Sequence, residues 1–461
     1  MKRDDHLILG LILAAVLFCI LFLCRMGWPI SITASVTLLV AWWWVTEPIS
    51  IPATSLIPLA LFPLLGVITP DQTAAAMGHV LVQLMLGGFL LSAAMEKSGA
   101  HRRIALSMVN LCGSSNGRRQ VLGFMAASAF LSMWISNAAT TLMLLPIVMA
   151  VVGQTSNTAF KKAIIIGIAW AASIGGISTP IGTPPNLLFI QAFEEHSGEE
   201  FGFLQWMMLT LPIAIVMLPI AWWWLTRSIK AAVSVKLPEV GEWRSAEIRT
   251  LIVFATTALL WITRLQPFGG WSHWMGLIDA KDSSIALLGA FAMFVVPSGE
   301  KQSDGKLQRL LDWETAKTIP WGVLILFAGG ICIAEAFTTS GLSELLGSSF
   351  SGLDAVPVLV LVFSICIGVT FLTELTSNSA TATLLMPILL VAATSNEIDP
   401  RILMIPATIS ASFAFMLPVA TPPNAIVFGS GQITVSEMAR AGLVLNLIGV
   451  VVVSIYCYLV L

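Results

Sequence analysis

Two short signatures in this sequence carry side chains suited to holding ions rather than to breaking bonds. Ser136-Asn137 and Ser377-Asn378-Ser379 set hydroxyls and carboxamides side by side in the middle of long apolar runs. Thr183-Pro184-Pro185-Asn186 and Thr421-Pro422-Pro423-Asn424 do the same around a double proline. Proline lacks an N–H and clashes with the preceding helical turn, so two in succession unwind a helix and free backbone carbonyls. Within hydrocarbon such groups persist only where protein or a water-filled cavity surrounds them. Half-helix N-termini with hydroxyl and amide donors favour anions, and unwound carbonyls with Ser, Thr and Asn oxygens favour Na⁺. The stretches 121–152, 174–190, 356–394 and 402–428 contain no Lys or Arg. An anion bound among them has no side-chain counter-charge, and burying it uncompensated is costly. Bound cations must balance it.

The elements that position these residues are set by composition. Of 461 residues, 57% are hydrophobic and 10% charged, against about 25% charged in soluble domains. Such a chain cannot cover a water-facing surface of its own size, which excludes a nucleic-acid binder, a secreted disulfide scaffold and an ordinary cytosolic enzyme. Apolar runs of roughly 20 residues recur from Leu7 to Leu461, each long enough to cross a bilayer as a helix. The first, Leu7 to Cys24, exceeds a signal-peptide core and no small-residue cleavage site follows, so it reads as a retained span.

The run from Val121 to Val152 has 32 residues, with Arg118 and Arg119 before it and Lys161 and Lys162 after it. Cytoplasmic loops collect Lys and Arg. Positive charge at both ends means that the segment enters and leaves on one side, as a re-entrant helical hairpin. Reading Val356 to Thr394 as a second hairpin opening the other way leaves about eleven crossings at bilayer length. With the N-terminus cytoplasmic and the C-terminus outside, 19 of the 23 basic residues fall on the cytoplasmic side. Arg25, Arg264, Lys281 and Arg401 fall outside with the acidic loop Glu194, Glu195, Glu199 and Glu200. The expected fold is an all-α polytopic membrane protein with two re-entrant hairpins and two discontinuous helices.

An internal repeat supports this. Residues 132–147 and 373–388 match at seven of sixteen positions with an offset of 241. Gly87-Gly88 with Ser98-Gly99 recurs as Gly329-Gly330 with Ser340-Gly341, and the Thr-Pro-Pro-Asn motif recurs at an offset of 238. The charge-derived topology runs the two copies in opposite directions, the inverted-repeat organisation of a secondary transporter. The expected layout is an additional span at 1–28, a first repeat at 29–226 (hairpin 121–152, broken helix 163–190), a cytoplasmic linker at 227–249, and a second repeat at 250–461 (hairpin 356–394, broken helix 402–428). Four breaks, paired by symmetry, should meet near the membrane midplane.

With the signatures GTPPN, ATPPN and the stretch from Met416 to Gly431, FMLPVATPPNAIVFGSG inclusive of Phe415, the chain resembles the divalent anion:sodium symporter family of di- and tricarboxylate and sulfate carriers. The resemblance covers essentially the whole chain. It implies a homodimer in the bacterial cytoplasmic (inner) membrane, with interleaved scaffold and transport domains and an elevator motion. It also implies one Na⁺ at Ser132, Ser136, Asn137 and the Gly182 backbone, and a second at Thr373, Thr376, Asn378 and the Ala420 backbone. Substrate carboxylates would be held by Asn137, Thr183, Ser377, Asn378, Ser379, Thr421 and Pro422. The family's first signature usually reads Ser-Asn-Thr, whereas Ala138 stands third here and removes a hydroxyl.

The function this implies is Na⁺-coupled symport of C4-dicarboxylates such as succinate, fumarate or malate. A Na⁺-independent dicarboxylate exchanger and a symporter of a tricarboxylate or of sulfate stay open as alternatives. No His lies in the hairpins or breaks and no metal-ligand spacing occurs, so neither an intramembrane hydrolase nor a transition-metal site is expected. Glu374, inside the second hairpin, is a functional candidate by depth alone. Met133 aligns with it in the first half, so a structural hydrogen bond is the plainer reading. Glu335 reads as pairing at an interface, Glu47-Pro48 as a helix end, and Trp42 to Trp44 and Trp222 to Trp224 as interfacial anchors.

Overall fold

The computed structural model describes residues 3–112, 116–229, 241–266, 269–301, 307–350 and 352–461. Residues 230–240, the middle of the expected linker, lie outside the described residues. The first half runs α1 Arg3–Leu23, α2 Trp28–Thr46, α3 Ile51–Thr54, α4 Leu56–Leu64, α5 Pro70–Met77, α6 Val80–Ser98, α7 Ala100–Cys112, α8 Gly117–Ser132, α9 Asn137–Val152, α10 Thr158–Gly176, α11 Pro184–Ser197 and α12 Phe203–Thr226. The second half runs α13 Ser245–Ile262, α14 Gly270–Trp274, α15 Asp282–Val295, a strand pair β1 Pro297–Lys301 and β2 Leu307–Arg309, α16 Trp313–Ala316, α17 Trp321–Ser340, α18 Leu342–Ser349, α19 Val358–Thr373, α20 Asn378–Thr394, α21 Pro400–Ala411, α22 Pro422–Phe428 and α23 Val435–Val460. Eight helices among the described residues are long and apolar enough to cross a membrane. The other expected crossings fall on α3 with α4, on α15 and on the broken pair α21 and α22.

Both expected hairpins form: α8 turns into α9 at 133–136, and α19 turns into α20 at 374–377. Both long spans break. Here the structure refines the sequence reading, because the prolines do not lie in the unwound stretch. Pro184-Pro185 and Pro422-Pro423 occupy the first two positions of α11 and α22, where the missing N–H is an orphan in any case. The unwound backbone lies before them, at 177–183 and 412–421.

The repeat extends to individual bonds. Gly99 and Gly341 end α6 and α17 in the left-handed region, at φ 78° and 81°, where a side chain would be strained. Beside them Ser98 donates to the Met95 carbonyl and accepts from the Ala100 amide; Ser340 does the same with Phe337 and Leu342. Gly87 and Gly329 each make a close helix crossing at the matching place in the two copies. A Cβ on Gly87 would lie 2.5 Å from the Ala286 methyl, and one on Gly329 2.6 Å from the Ser55 carbonyl oxygen.

The helices sort into two packed sets. In one, α2, α4, α5, α6, α13, α15 and α17 pack on each other; in the other, α8 to α12 pack with α19 to α23. The helices α7 and α18 connect them in sequence. Polar contacts also sort by face. Lys97 pairs with Asp312, Arg103 with Glu247, Lys162 with Glu437, and Arg118 donates to the Ile229 carbonyl; these residues mark a basic face. Arg264, Lys281 and Glu200 form one cluster, and His79 meets Glu195, on the opposite, acidic face. The tryptophan expectation holds only in part. Trp44 is fully buried and its indole donates to Ser55 Oγ at 3.0 Å, and Trp224 donates to the Ala441 carbonyl at 3.1 Å, so these two are packing residues.

Candidate functional site

The four breaks converge. One cavity of about 760 Å³ is lined by residues of both hairpin tips and both unwound stretches: Ser136, Asn137, Gly182, Thr183, Thr376, Ser377, Asn378, Ser379, Ala420, Thr421 and Pro422. Every sequence-predicted site residue except Ser132 and Thr373 therefore reaches it. Those two stand one layer behind the tips and are completely buried. The wall from the other helix set is supplied by Ile51, Met85, Phe89, Pro320 and Val323, and Glu47 completes it.

Four helices, α9, α11, α20 and α22, begin at this cavity, and their first residues carry amide groups without intrahelical partners. Their N-cap residues are Ser136, Thr183, Ser377 and Thr421. Ser136 accepts from the Ala139 amide and Thr421 from the Asn424 amide, each at 3.2 Å. Thr183 and Ser377 make no such cap bond, which leaves one uncommitted cap hydroxyl in each half. Partial positive charge at helix starts and neutral donors suit a carboxylate without any basic side chain.

Behind the tips stand two matched oxygen clusters. In the first half Ser132 donates to the Asn137 carboxamide oxygen. That oxygen also faces the carbonyl oxygens of Ala172 at 3.2 Å and Gly182 at 3.3 Å. Two arrangements satisfy this geometry: the amide turns so that its nitrogen donates to all three, or a small hard cation joins the oxygens. In the second half Thr373 Oγ1 stands 2.9 Å from both the Asn378 carboxamide oxygen and the Ala411 carbonyl oxygen, with one hydroxyl proton to give to either. Thr376 is turned to the Leu372 carbonyl at 3.0 Å and to the Thr381 hydroxyl. Gly182 and Ala420 hold equivalent turns, with amides donating to Thr179 at 3.3 Å and Leu417 at 3.2 Å.

The unwound stretches are themselves held, by residues that the sequence reading left unassigned. Asn186 Nδ2 donates to the carbonyls of Gly176, Ile177 and Thr179 at 2.7–3.3 Å. Asn424 Nδ2 donates to those of Ala414 and Leu417 at 3.0 and 3.1 Å. The last residue of each Thr-Pro-Pro-Asn motif thus caps the carbonyls that the break sets free, as buried acceptors require. From the next helix, Trp206 donates to Ile177 and Asn446 accepts from the Phe415 amide. A lone Asn within the apolar run of α23 was the available signal for Asn446. Glu374 makes the expected structural hydrogen bonds: it accepts from the amides of Met416 at 2.8 Å and Leu417 at 2.9 Å and from Asn446 at 2.7 Å. Glu335 accepts from Gln72 of α5, a bond between two helices of one packed set rather than across an interface.

A profile of the sodium:sulfate symporter transmembrane region matches residues 5–459 of the chain. The chain belongs to the sodium:sulfate symporter family. Among curated members of this family it is similar to the sodium-dependent dicarboxylate transporter SdcS of Staphylococcus saprophyticus, at 38% identity over 98% of this chain and 91% of that protein. It is equally similar to the transporter of that name from Staphylococcus aureus, at 38% identity with the same coverage. Among solved structures it is similar to the YdaH transporter of Alcanivorax borkumensis, with a TM-score of 0.59 at 16% identity over 86% of this chain and 87% of that one. At that identity the likeness concerns the fold alone. The family is one of membrane transporters, not enzymes.

Proposed function

We propose that this family member is a Na⁺-coupled symporter of divalent organic anions, with C4-dicarboxylates such as succinate, fumarate and malate as its substrates. The observation that carries the reading is the cavity's composition. Four helix starts and hydroxyl and amide donors surround it, two oxygen clusters stand directly behind, and its lining contains no Lys, Arg or His. The relatives named as sodium-dependent dicarboxylate transporters, 38% identical, support the same pairing of ion and substrate.

One Na⁺ is held by Ser132, Ser136, Asn137 and the Gly182 carbonyl, the other by Thr373, Thr376, Asn378 and the Ala420 carbonyl. Each cation fixes a hairpin tip against an unwound stretch, and this assembles the substrate site from Asn137, Thr183, Ser377, Asn378, Ser379, Thr421 and Pro422. Asn137 and Asn378 belong to both, so cation and anion binding are coupled through shared carboxamides. Two Na⁺ neutralise a dianion; we infer that more than two move, which makes uptake inward and electrogenic.

The set α8 to α12 with α19 to α23 carries every element of this site and is the part that moves, as an elevator, against the other set. We read the basic face as the cytoplasmic one, with the N-terminus inside and the C-terminus outside a bacterial cytoplasmic membrane, and the protein as working as a homodimer. The deciding experiment is uptake of radiolabelled succinate into proteoliposomes with and without an inward Na⁺ gradient. Uptake should require the gradient; equal uptake in both overturns the reading, and uptake only into dicarboxylate-preloaded vesicles replaces it with exchange.

A further inference from the structure

A second cavity, of about 400 Å³, lies between the two helix sets beside the site. Volumes of this order hold small apolar ligands. One wall is a single face of α2, the residues Ala34, Thr37, Leu38, Ala41 and Val45, whose spacing of three and four places them in one row. The row from Ala34 to Val45 runs about 16 Å along the helix at 1.5 Å per residue. That is half of a hydrocarbon core of roughly 30 Å. The facing wall belongs to the other set, with Leu372 of α19 and Leu384 and Ile388 of α20. The cavity is a slot between membrane-crossing helices.

The slot has the chemistry of lipid rather than of water. Apart from four threonines its lining is wholly apolar, and no charged residue reaches it. Three of the four have their hydroxyls committed to protein. Thr376 and Thr381 bond each other, and Thr383 donates to the Ser379 carbonyl at 2.7 Å. Thr37 supplies the one lining hydroxyl without a partner among the described residues. A cavity so lined offers water too few partners and takes up apolar molecules instead. It is also continuous with the outer surface at membrane depth. Leu372 on its rim ends an exposed row along α19, Val360, Ser364, Gly368 and Leu372, and Val45 is exposed as well.

The repeat shows that this space belongs to one half only. The helices α2 and α13 match through Trp44 and Trp261, both fully buried, through Thr46 and Thr263, which each donate to the carbonyl four residues back, and through the buried pair Thr33 and Thr250. In that register, at a constant offset of 217, Thr37 corresponds to Phe254. Phe254 meets Trp134 of the first hairpin tip edge-on at 5.8 Å, and Trp134 stacks on Phe203 at 6.1 Å. Trp134 in turn corresponds to Leu375, at the offset of 241 that the hairpins keep, and Leu375 is 71% exposed. The first half fills the seam between the sets with aromatic rings. The second half, with Thr37 and Leu375 in those places, leaves room.

We propose that the slot binds the acyl chain of a membrane lipid, and that this chain holds the carrier in the present conformation. The two walls belong to sets that move against each other, so the slot keeps its shape in this arrangement alone, and a ligand that fits it favours that arrangement. Thr376 lines the slot as well as the central cavity. The chain therefore lies against the hairpin tip that carries the second Na⁺ site. The holding role rests on the elevator reading above; the binding of the chain does not.

The test uses the full chain in liposomes that contain a phosphatidylcholine with a diazirine at mid-chain. After illumination, the slot-facing residues between Ala34 and Val45 and between Leu384 and Ile388 should carry the label, with α1 as the lipid-exposed reference. Thr37→Phe gives α2 the residue type that Phe254 supplies in α13, and should lower labelling of the slot relative to α1 by about tenfold, since the side chain takes the ligand's place. Ala41→Leu, a smaller filling, serves the same comparison should the first variant not fold. An unlabelled slot beside a labelled α1 overturns the proposal, as does labelling that neither variant reduces. In a second arm 1-dodecanol, a single chain without a carboxylate, is added to vesicles taking up succinate. It should lower the maximal rate of the parent about fivefold, a coupling of ordinary size, leave succinate half-saturation unchanged, and act only weakly on Thr37→Phe. Equal inhibition of both proteins, or a change in half-saturation alone, overturns the holding role. If the parent takes up succinate without Na⁺, the symport reading fails and the labelling still decides the slot.

Discussion

Asn446 of α23 and Glu374 of the second hairpin are bonded at 2.7 Å, amide to carboxylate, and both also hold the unwound stretch between α21 and α22. Asn446 accepts from Phe415, and Glu374 accepts from Met416 and Leu417. The hairpin tip, the break and the following helix are thereby tied at one point. In the first half the equivalent tie reverses direction, since the Thr179 hydroxyl donates to the Met133 carbonyl. The carboxylate of Glu374 does for the second half what a backbone carbonyl does for the first.

Replacing Glu374 should therefore cost stability before it costs ion coupling. Glu374→Ala leaves the buried Asn446 amide and two half-buried backbone amides without their acceptor, at up to roughly 1–3 kcal/mol for a group left fully without a partner. Glu374→Gln keeps one acceptor oxygen and should retain most of the fold. Melting temperature in detergent, with Na⁺-dependent uptake measured on the same preparations, separates the two. A Gln variant as unstable as the Ala variant would contradict this account.

Asn137→Ala and Asn378→Ala should each abolish uptake without unfolding the protein. Each removes a shared carboxamide that faces the cavity and, behind it, the partner of Ser132 or Thr373. The loss should appear in Na⁺ half-saturation as well as in substrate binding, which scintillation proximity binding at several Na⁺ concentrations can read. Normal uptake by either variant would mean that the site lies elsewhere.

How much of this was legible in the sequence follows the physics of each feature. The hairpins and breaks were readable because a lipid solvent forbids loose backbone, so an interruption of an apolar run has few structural meanings. The repeat was readable because both copies keep the same residues at the same spacing. Glu47 was read as a helix end, which it is, but its place on the cavity depends on how α2 packs against the other helix set. The clamps by Asn186 and Asn424 needed the direction in which the chain folds back after Gly176 and Ala414. Trp44 was misplaced because burial of a tryptophan beside Ser55 is decided by α3 and α4, not by its neighbours in sequence.

The acidic-face cluster sets a pH dependence. Burial by itself pushes the Glu200 carboxyl up, but hydrogen bonds and charge from Arg264 and Lys281 outweigh it and hold the group below its ordinary value of 4.5. A depressed carboxylate contributes stability that is present above the ordinary value and lost as pH falls through the folded one. Glu200→Gln should therefore lower the melting temperature by a few degrees at pH 7, and the difference from the parent should shrink as the pH is taken below 4.5. A difference that persists unchanged into strong acid would show that the carboxylate's charge is not what matters.

Gly176→Ala should separate stability from function. At the end of α10 the change favours helix by roughly 0.5–1 kcal/mol, yet the new methyl would lie 2.5 Å from the Asn137 carboxamide oxygen and must displace it. The expected result is an equal or higher melting temperature with Na⁺ half-saturation raised about tenfold, equivalent to one lost hydrogen bond to an ion. The corresponding residue of the second half is Ala414, so the contact belongs to the first site alone, and the substitution should leave a second, weaker Na⁺ dependence intact. Unchanged Na⁺ dependence would remove the first oxygen cluster from the mechanism.

Ala138 lines the cavity beside Asn137 at the start of α9, where Ser379 in the second half supplies a hydroxyl. Ala138→Thr places a hydroxyl at the corresponding position, on a helix start that already presents donors to the anion. One added hydrogen bond to a charged group is worth roughly 1.5–3 kcal/mol when well aligned, and ordering the new side chain offsets part of it. Succinate affinity should therefore rise by about tenfold at saturating Na⁺, with little change in Na⁺ half-saturation, because the new group faces the anion and not the cluster behind the tip. Competition by unlabelled succinate, malate and citrate against labelled succinate measures it. A gain confined to the larger acid would mean that Ala138 provides room rather than lacking a donor, and that the missing hydroxyl sets which acids fit.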